Sequence, residues 1–102
     1  MKPIYYYRVD LRTGDFEVSE VTDYEEKTLT NGKKYYRYKK GGSWHYVHLR
    51  DLDIFKSGRL YSFDQDKERA IKIILKTIDT KIDKTRKDLR KWMNARIMVE
   101  NL

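Results

Sequence analysis

Residues 5–18 read YYYRVDLRTGDFEV and carry the clearest folding signal in the chain. Aromatic and branched side chains alternate with polar ones, which is the period of a β-strand with one buried face. Arg12-Thr13-Gly14-Asp15 lies between the two alternating runs and has the composition of a tight turn. The stretch therefore predicts an antiparallel hairpin in which Tyr5, Tyr7 and Val9 share one face of the first strand.

Turn signals divide the following residues into further strands. Val21 breaks the alternation of the second strand, as a β-bulge would. Asn31-Gly32 and Gly41-Gly42 are pairs that accept positive φ, so each predicts a hairpin turn. Arg59-Leu60-Tyr61 predicts a short edge strand. Together these signals predict an antiparallel sheet of four to five strands over residues 4–61.

A long amphipathic helix is predicted over residues 63–98. No proline or glycine occurs from residue 63 onward, and apolar residues recur at three- and four-residue steps from Ile71 to Ile97, with one seven-residue gap at Thr85 and Arg86. Ser62-Phe63-Asp64-Gln65 has the spacing of a capping box, which predicts the start of this helix. Sheet followed by helix predicts the α+β class.

The predicted helix is longer than the domain that carries it. It would extend about 54 Å at 1.5 Å per residue, whereas a domain of this size measures about 35 Å across. Either the helix breaks near Thr85 and folds back, or its outer half packs on a second copy or on a partner. The second alternative uses the helix face of Leu89, Trp92, Met93 and Ile97, because a monomer seldom exposes such a group.

The composition is that of one small basic domain. The 102 residues carry a net charge of +7, and 13 of the 14 aromatic residues precede residue 64. We therefore divide the single domain, 1–102, into an aromatic-rich β part, 1–62, and a basic helical part, 63–102. The chain has no cysteine, which excludes a disulfide framework and thiolate chemistry. Without a signal peptide or an apolar membrane span, we expect a cytoplasmic protein with no membrane partner and no cofactor.

Two basic patches favour a binding function. Between residues 33 and 50 the chain holds no acid, and cations alternate with aromatic rings that could stack on bases. We predict that Lys33, Lys34, Arg37, Lys39 and Lys40, with the helix cations Lys84, Arg86, Lys87, Arg90 and Lys91, contact phosphates or an acidic protein surface, while Trp44 or Tyr36 stacks. The competing interpretation is that both features serve the fold and not binding. Aromatic residues favour strands, and the acidic stretch before residue 27 would form cross-strand charge pairs with the basic strands.

The sequence therefore predicts a binding protein that is not an enzyme and that acts on a nucleic acid or on a nucleic-acid-handling complex. The enzymatic alternative is a metal-dependent nuclease, because Asp51 and Asp53 would point the same way on an extended strand and could hold magnesium. The alternative interpretation is that Asp51 and Asp53 are two solvent-exposed carboxylates near a turn and bind no metal. A third alternative is a structural module that dimerises through the C-terminal helix.

The order of these elements also resembles that of a known group of proteins. The hairpin of residues 5–14, the turn Asn31-Gly32-Lys33 and Leu60-Tyr61-Ser62-Phe63-Asp64 leading into a Lys-rich helix with Ala70-Ile71 resemble the small accessory proteins of phages and prophages of Gram-positive bacteria. Proteins of that kind often act by binding, and some inhibit host defences such as CRISPR effectors. The resemblance implies a phage-type inhibitor and assigns no functional residue.

Overall fold

The computed structural model describes residues 2–102 and shows six strands followed by one long helix, which confirms the α+β class. In chain order the elements are β1 (Ile4–Val9), β2 (Phe16–Val21), β3 (Glu25–Thr28), β4 (Lys34–Lys40), β5 (Ser43–His48), a short 3₁₀ turn (Leu49–Asp51), β6 (Arg59–Ser62) and α1 (Lys67–Glu100).

The strands form two antiparallel sheets of three, where the sequence predicted one sheet of four to five strands. The first sheet has the order β2-β1-β6 and the second has the order β3-β4-β5. β6 returns to β1, with Tyr7 opposite Leu60, so the last strand completes the first sheet. The three middle strands are joined by short hairpins and therefore pair with one another.

β1 is covered on both faces, which explains its three consecutive tyrosines. Tyr7 points toward α1 and packs with Leu60 and Ile74 in one buried cluster. Ile4 points the other way and packs with residues of the second sheet, including Tyr38 and Val47. The molecule thus has three layers in the order helix, first sheet, second sheet, with one core on each side of the first sheet.

The predicted hairpin of residues 5–18 is present. The Asp10 amide donates to the Asp15 carbonyl at 2.9 Å, and Gly14 takes a φ of 78° in the turn between the strands. The predicted bulge at Val21 is wrong, because the register is unbroken and Val21 lies opposite Ile4. Val21 packs in the core between the sheets. The apolar residues change face along β2 because both sides of this sheet are covered.

The helix begins four residues later than predicted, and the capping box at Ser62 is wrong. Asp66 is the N-cap, and its carboxylate accepts from the Arg69 amide at 3.0 Å. Ser62 belongs to β6, where its hydroxyl accepts from the Asp64 amide and donates to Asp53. This hydroxyl is therefore used by the strand and its following turn.

The outer half of α1 extends beyond the sheets as a continuous helix. It passes through Thr85 without a break, so the alternative of a folded-back helix is wrong. The molecule measures 64 × 34 × 25 Å, and every residue from Asp79 to Leu102 is exposed. Within residues 2–102, no helix has both the length and the apolar character needed to cross a membrane.

Candidate nucleic-acid interface

Among residues 2–102, no layer covers one face of the second sheet. Strand alternation turns Tyr36, Tyr38 and Val47 toward the first sheet, where they pack in the core. The intervening side chains point away and form three cross-strand pairs. We call this set the outer face: Tyr35 with His48, Arg37 with Tyr46, and Lys39 with Trp44. It thus combines four rings and two cations on two adjacent strands.

Three rings of the outer face, those of Tyr35, Tyr46 and His48, lie close enough to form one continuous surface. The Tyr35 ring centre is 6.0 Å from that of Tyr46 and 5.8 Å from that of His48. Trp44 and Tyr46 are 43% and 54% exposed, which is high for aromatic residues in the interior of a strand. Half-exposed rings on a sheet can accept the flat face of an aromatic ligand.

Arg37 is held in place between an aromatic ring and a carboxylate. Its guanidinium carbon lies 4.5 Å from the Trp44 ring centre, and its Nε donates to Glu25 at 2.8 Å. This hydrogen bond, with the nearby positive charges, lowers the pKa of Glu25 below its ordinary value. Glu25 therefore stays ionised at neutral pH and keeps Arg37 against Trp44.

Lys39 is the available cation of the outer face. Its Nζ lies 5.7 Å from the Trp44 ring centre, on the strand next to that ring. Within the part of the chain that the structure describes, Lys39 makes no ion pair. Because an unpaired ammonium keeps its full charge for an incoming anion, Lys39 can meet a phosphate beside a base that stacks on the rings.

The remaining cations of the predicted sheet patch do not join Arg37 and Lys39. The side chains of Lys34 and Lys40 point to the opposite side of β4. Lys34 forms an ion pair with Glu26 at 3.1 Å, and the Lys40 Nζ lies 5.9 Å from the Tyr6 ring centre. Lys33 lies in the turn before β4. Tyr36 lies on the inner side of the second sheet and is partly buried against Tyr24 and Phe63.

A groove extends the outer face at the end where His48 lies. It encloses about 800 Å³ and is lined by Leu29, Asn31, Gly32, Lys33, Lys34, His48, Leu49 and Arg50. None of these described lining residues is acidic. The groove brings Lys33, Lys34 and Arg50 next to the ring surface and contains two of the predicted site residues.

Three members of the outer face were not predicted as site residues: Tyr35, Tyr46 and His48. The sequence feature that could have identified them is the two-residue period of β4 and β5. Because Val47 is buried, this period places Tyr35, Tyr46 and His48 on the same side as Arg37, Lys39 and Trp44. His45 and His48 lie on opposite faces of β5. His45 stacks on Tyr38, with ring centres 5.1 Å apart.

The helix cations form a separate surface. Lys84, Arg86, Lys87, Arg90 and Lys91 are all exposed on the outer half of α1. Within residues 79–102, all of which the structure describes, the only ion pair joins Arg96 to Glu100 at 3.0 Å. Because the first sheet lies between α1 and the second sheet, the two predicted basic patches are on different layers and do not form one site.

The predicted magnesium pair, Asp51 and Asp53, lies in the segment between β5 and β6, where Asp53 has partners within the fold. Asp51 lies in the 3₁₀ turn and Asp53 has a φ of 60°, so the expected extended strand is wrong. Asp53 accepts hydrogen bonds from Ser62 at 2.6 Å and from Arg69 at 2.8 Å. Burial alone would raise the pKa of Asp53, but these two donors outweigh it and lower that pKa. Across residues 2–102, no group of three or more His, Asp or Glu side chains is arranged to hold a metal ion.

Comparison with known proteins adds no assignment to this geometry. No family model matches the chain, and neither a curated protein nor a solved structure shows significant similarity to it.

Proposed function

We propose that the protein binds single-stranded nucleic acid on the outer face of the β3-β4-β5 sheet. The observation that carries the proposal is the cross-strand array of Tyr35, Trp44, Tyr46 and His48 beside Arg37 and Lys39, which no layer covers in the described part of the chain. Unpaired bases stack on such rings, while neighbouring cations contact the backbone.

Each part of the face has a separate role in this proposal. Tyr46 and Trp44, the more exposed rings, stack with bases. Lys39 contacts a phosphate directly, and Lys33 and Arg50 in the groove contact phosphates further along the strand. Arg37 positions the Trp44 ring, since its own charge is already paired with Glu25.

The geometry favours a single strand over a duplex. The rings of the outer face can only contact bases that have left a stack, and base pairs in a duplex present their edges and not their faces. The net charge of +7 supports either form, because it attracts any phosphate backbone. Strand preference is therefore the property that depends on the rings.

An acidic surface of a nucleic-acid-handling protein is the second candidate partner. Trp, Tyr and Arg are the residues that most often dominate protein interfaces, and Trp44, Tyr46 and Arg37 lie together here. An inhibitor of the phage type, including one that acts on a CRISPR effector, belongs to this candidate and stays a prediction.

A fluorescence-anisotropy titration tests the proposal. Labelled single-stranded DNA, single-stranded RNA and duplex DNA are titrated with the protein at low and at physiological salt, with magnesium present. We expect tighter binding to a single strand than to the duplex, an affinity that falls with salt, and intact probes afterwards. Absence of binding at low salt contradicts the proposal and favours the protein partner, and cleaved probes favour the nuclease alternative.

Two substitutions separate stacking from charge. Tyr46→Ala removes one stacking surface and should weaken single-strand binding by about 1–3 kcal/mol, or about 5- to 150-fold. Lys39→Ala should lower the slope of log affinity against log salt by about 0.7 for a single strand.

Lys76→Ala is the matched control for Lys39→Ala. Lys76 is an exposed cation on α1, in the layer opposite the second sheet, so its removal changes the net charge equally without touching the outer face. Equal effects of the two lysine substitutions would show that net charge, and not the outer face, determines binding.

A further inference from the structure

The apolar row on the outer half of α1 has the spacing of a coiled-coil seam. Positions 75, 78, 82, 85, 89, 92, 96 and 99 alternate steps of three and four residues, and six of the eight are apolar. We call Leu75, Ile78, Ile82, Thr85, Leu89 and Trp92 the seam. All but Ile78 are exposed, and Trp92 is 72% exposed.

Within residues 2–102, the seam is open except at Ile78, which is partly buried against the core between α1 and the first sheet. Ala70 and Ile74 are the residues of α1 that are buried against the first sheet. Leu75 follows Ile74 by one residue and is exposed, so the seam already faces outward where the helix still packs on the sheet. An open seam of this length is the surface that a second helix covers.

Two of the helix residues predicted as a partner face lie off the seam. Ile97 lies about 80° around the helix from Leu89 at 3.6 residues per turn, and Met93 flanks the seam. Leu89 and Trp92 are therefore the central contacts among the four predicted residues, and Ile97 offers a comparison position on the same helix that is similarly exposed.

Charges beside the seam match a second copy of the same helix in antiparallel orientation. Asp79 and Arg86 flank one side of the seam, and Lys81 and Asp88 flank the other. When two copies pair with their centre between Ile82 and Thr85, Asp79 faces Arg86 of the second copy and Lys81 faces its Asp88. Two-fold symmetry repeats both pairs, which gives four contacts between opposite charges.

The parallel orientation lacks this match. In a parallel coiled coil the flanking residue of one helix faces the residue five positions later on the other. Lys81 would then face Arg86 of the second copy, and symmetry would repeat this contact between like charges. The charges therefore select the antiparallel pair.

The antiparallel pairing also matches a larger side chain with a smaller one in two of its three kinds of layer, Trp92 with Leu75 and Ile82 with Thr85. Leu75 lies opposite Trp92 of the second copy, Ile78 opposite its Leu89, and Ile82 opposite its Thr85. Each of these layers occurs twice. We propose that two copies of the chain form a homodimer through antiparallel packing of α1 along this seam.

Sedimentation velocity over a range of micromolar concentrations tests the proposal. The chain has a mass of 12.5 kDa, and we expect the unsubstituted chain to sediment with twice that mass as concentration rises. Leu89→Asp should shift it to the monomer, while Ile97→Asp, off the seam, should leave the dimer unchanged. Because both side chains are exposed in the monomer, neither substitution disturbs the folding of one chain.

One charge substitution tests the orientation. Lys81→Glu would face Asp88 of the second copy in the antiparallel dimer and should weaken association several-fold. In a parallel dimer the same change would face Arg86 and strengthen association. A monomer at all concentrations, a dimer that survives Leu89→Asp, or tighter association of Lys81→Glu would each overturn the proposal.

Discussion

Gly58 shows how a single residue lets the last strand reach the first. The Val9 amide donates to the Gly58 carbonyl at 2.8 Å, and Gly58 has a φ of 78°. A Cβ added there would lie 2.8 Å from the Val9 carbonyl oxygen, which belongs to the backbone and cannot rotate away. Glycine at this position therefore allows the close approach of β6 to the end of β1.

We expect Gly58→Ala to destabilise the protein more than Gly14→Ala. Gly14 has the same φ but no atom within 4 Å of an added Cβ, so its substitution costs only the backbone term of about 1 kcal/mol. Gly58→Ala adds the steric conflict, a further cost of about 1–3 kcal/mol. Urea unfolding of both variants measures the difference. Equal loss of stability would show that β1 and the Gly58 segment are not in close contact.

Asp53 links the loop before β6 to the first turn of α1. Its carboxylate accepts from the buried Ser62 hydroxyl and from Arg69, while its side chain and that of Arg69 remain partly exposed. Solvent screening limits the contribution of such an ion pair, so Asp53→Asn should cost about 1 kcal/mol at neutral pH.

The stability cost of Asp53→Asn should depend on pH. Because the pKa of Asp53 is lowered in the folded protein, its stabilising effect is complete above the ordinary carboxyl pKa and is lost as the pH falls through the lowered value. The difference in unfolding free energy between wild type and Asp53→Asn should therefore shrink in acid. A difference that stays constant with pH would mean that the carboxylate charge makes no contribution.

At the scale of elements, α1 has two halves with different support. The inner half packs on the first sheet through Ala70 and Ile74, but residues 79–102 are exposed in the single chain. Most helical stability in proteins comes from tertiary packing of an apolar face, which this outer half lacks in the single chain. Antiparallel pairing would supply the missing contacts.

Hydrogen exchange should therefore report the pairing at the level of the helix. In Leu89→Asp, amides of residues 80–98 should exchange much faster than in wild type, while amides of residues 70–76 should keep their protection. Ile97→Asp is the control and should resemble wild type. Rapid exchange of residues 80–98 in wild type at high concentration would contradict the paired helix.

The sequence predicted elements better than their arrangement. The hairpin of residues 5–18 and the long helix depend on local alternation and spacing, and both are present. The division into two sheets depends on β6 pairing with β1 across some fifty residues, which no local pattern encodes. The cap at Asp66 was missed because Ser62, which has the right spacing, bonds to Asp53 instead.

The candidate site was predicted in part for the same reason. Arg37, Lys39 and Trp44 lie together on the outer face, while Lys34 and Lys40 point the other way. The cation-rich run was visible in the sequence, but the buried side of each strand became known only with the second core around Tyr38 and Val47. Tyr35, Tyr46 and His48 can be assigned to the outer face only when the buried side of β4 and β5 is known.

At the scale of the whole molecule, the two proposed surfaces are independent. The outer face lies on the layer farthest from α1, so pairing of the helices leaves it uncovered. In the antiparallel dimer the inner halves of the two helices are separated by about 30 Å along the axis, at 1.5 Å per residue. Two outer faces would thus be carried by one dimer.

A strand long enough to reach both outer faces should bind the dimer more tightly than a short one. The second contact is then intramolecular, so avidity adds to the affinity of one face. Leu89→Asp should weaken binding of the long strand and leave that of the short strand unchanged, as measured by anisotropy. Equal weakening of both would indicate that the helix itself contacts the nucleic acid.

The most direct test of the central claim uses the two tryptophans, one on each proposed surface. Trp92→Phe leaves only Trp44 on the outer face, and Trp44→Phe leaves only Trp92 on the helix seam. Fluorescence of each variant is titrated with an unlabelled single-stranded oligonucleotide. We predict that Trp44 emission is quenched, because bases stack on that face, and that Trp92 emission is unchanged. Binding that leaves Trp44 emission unchanged would contradict nucleic-acid recognition on the outer face.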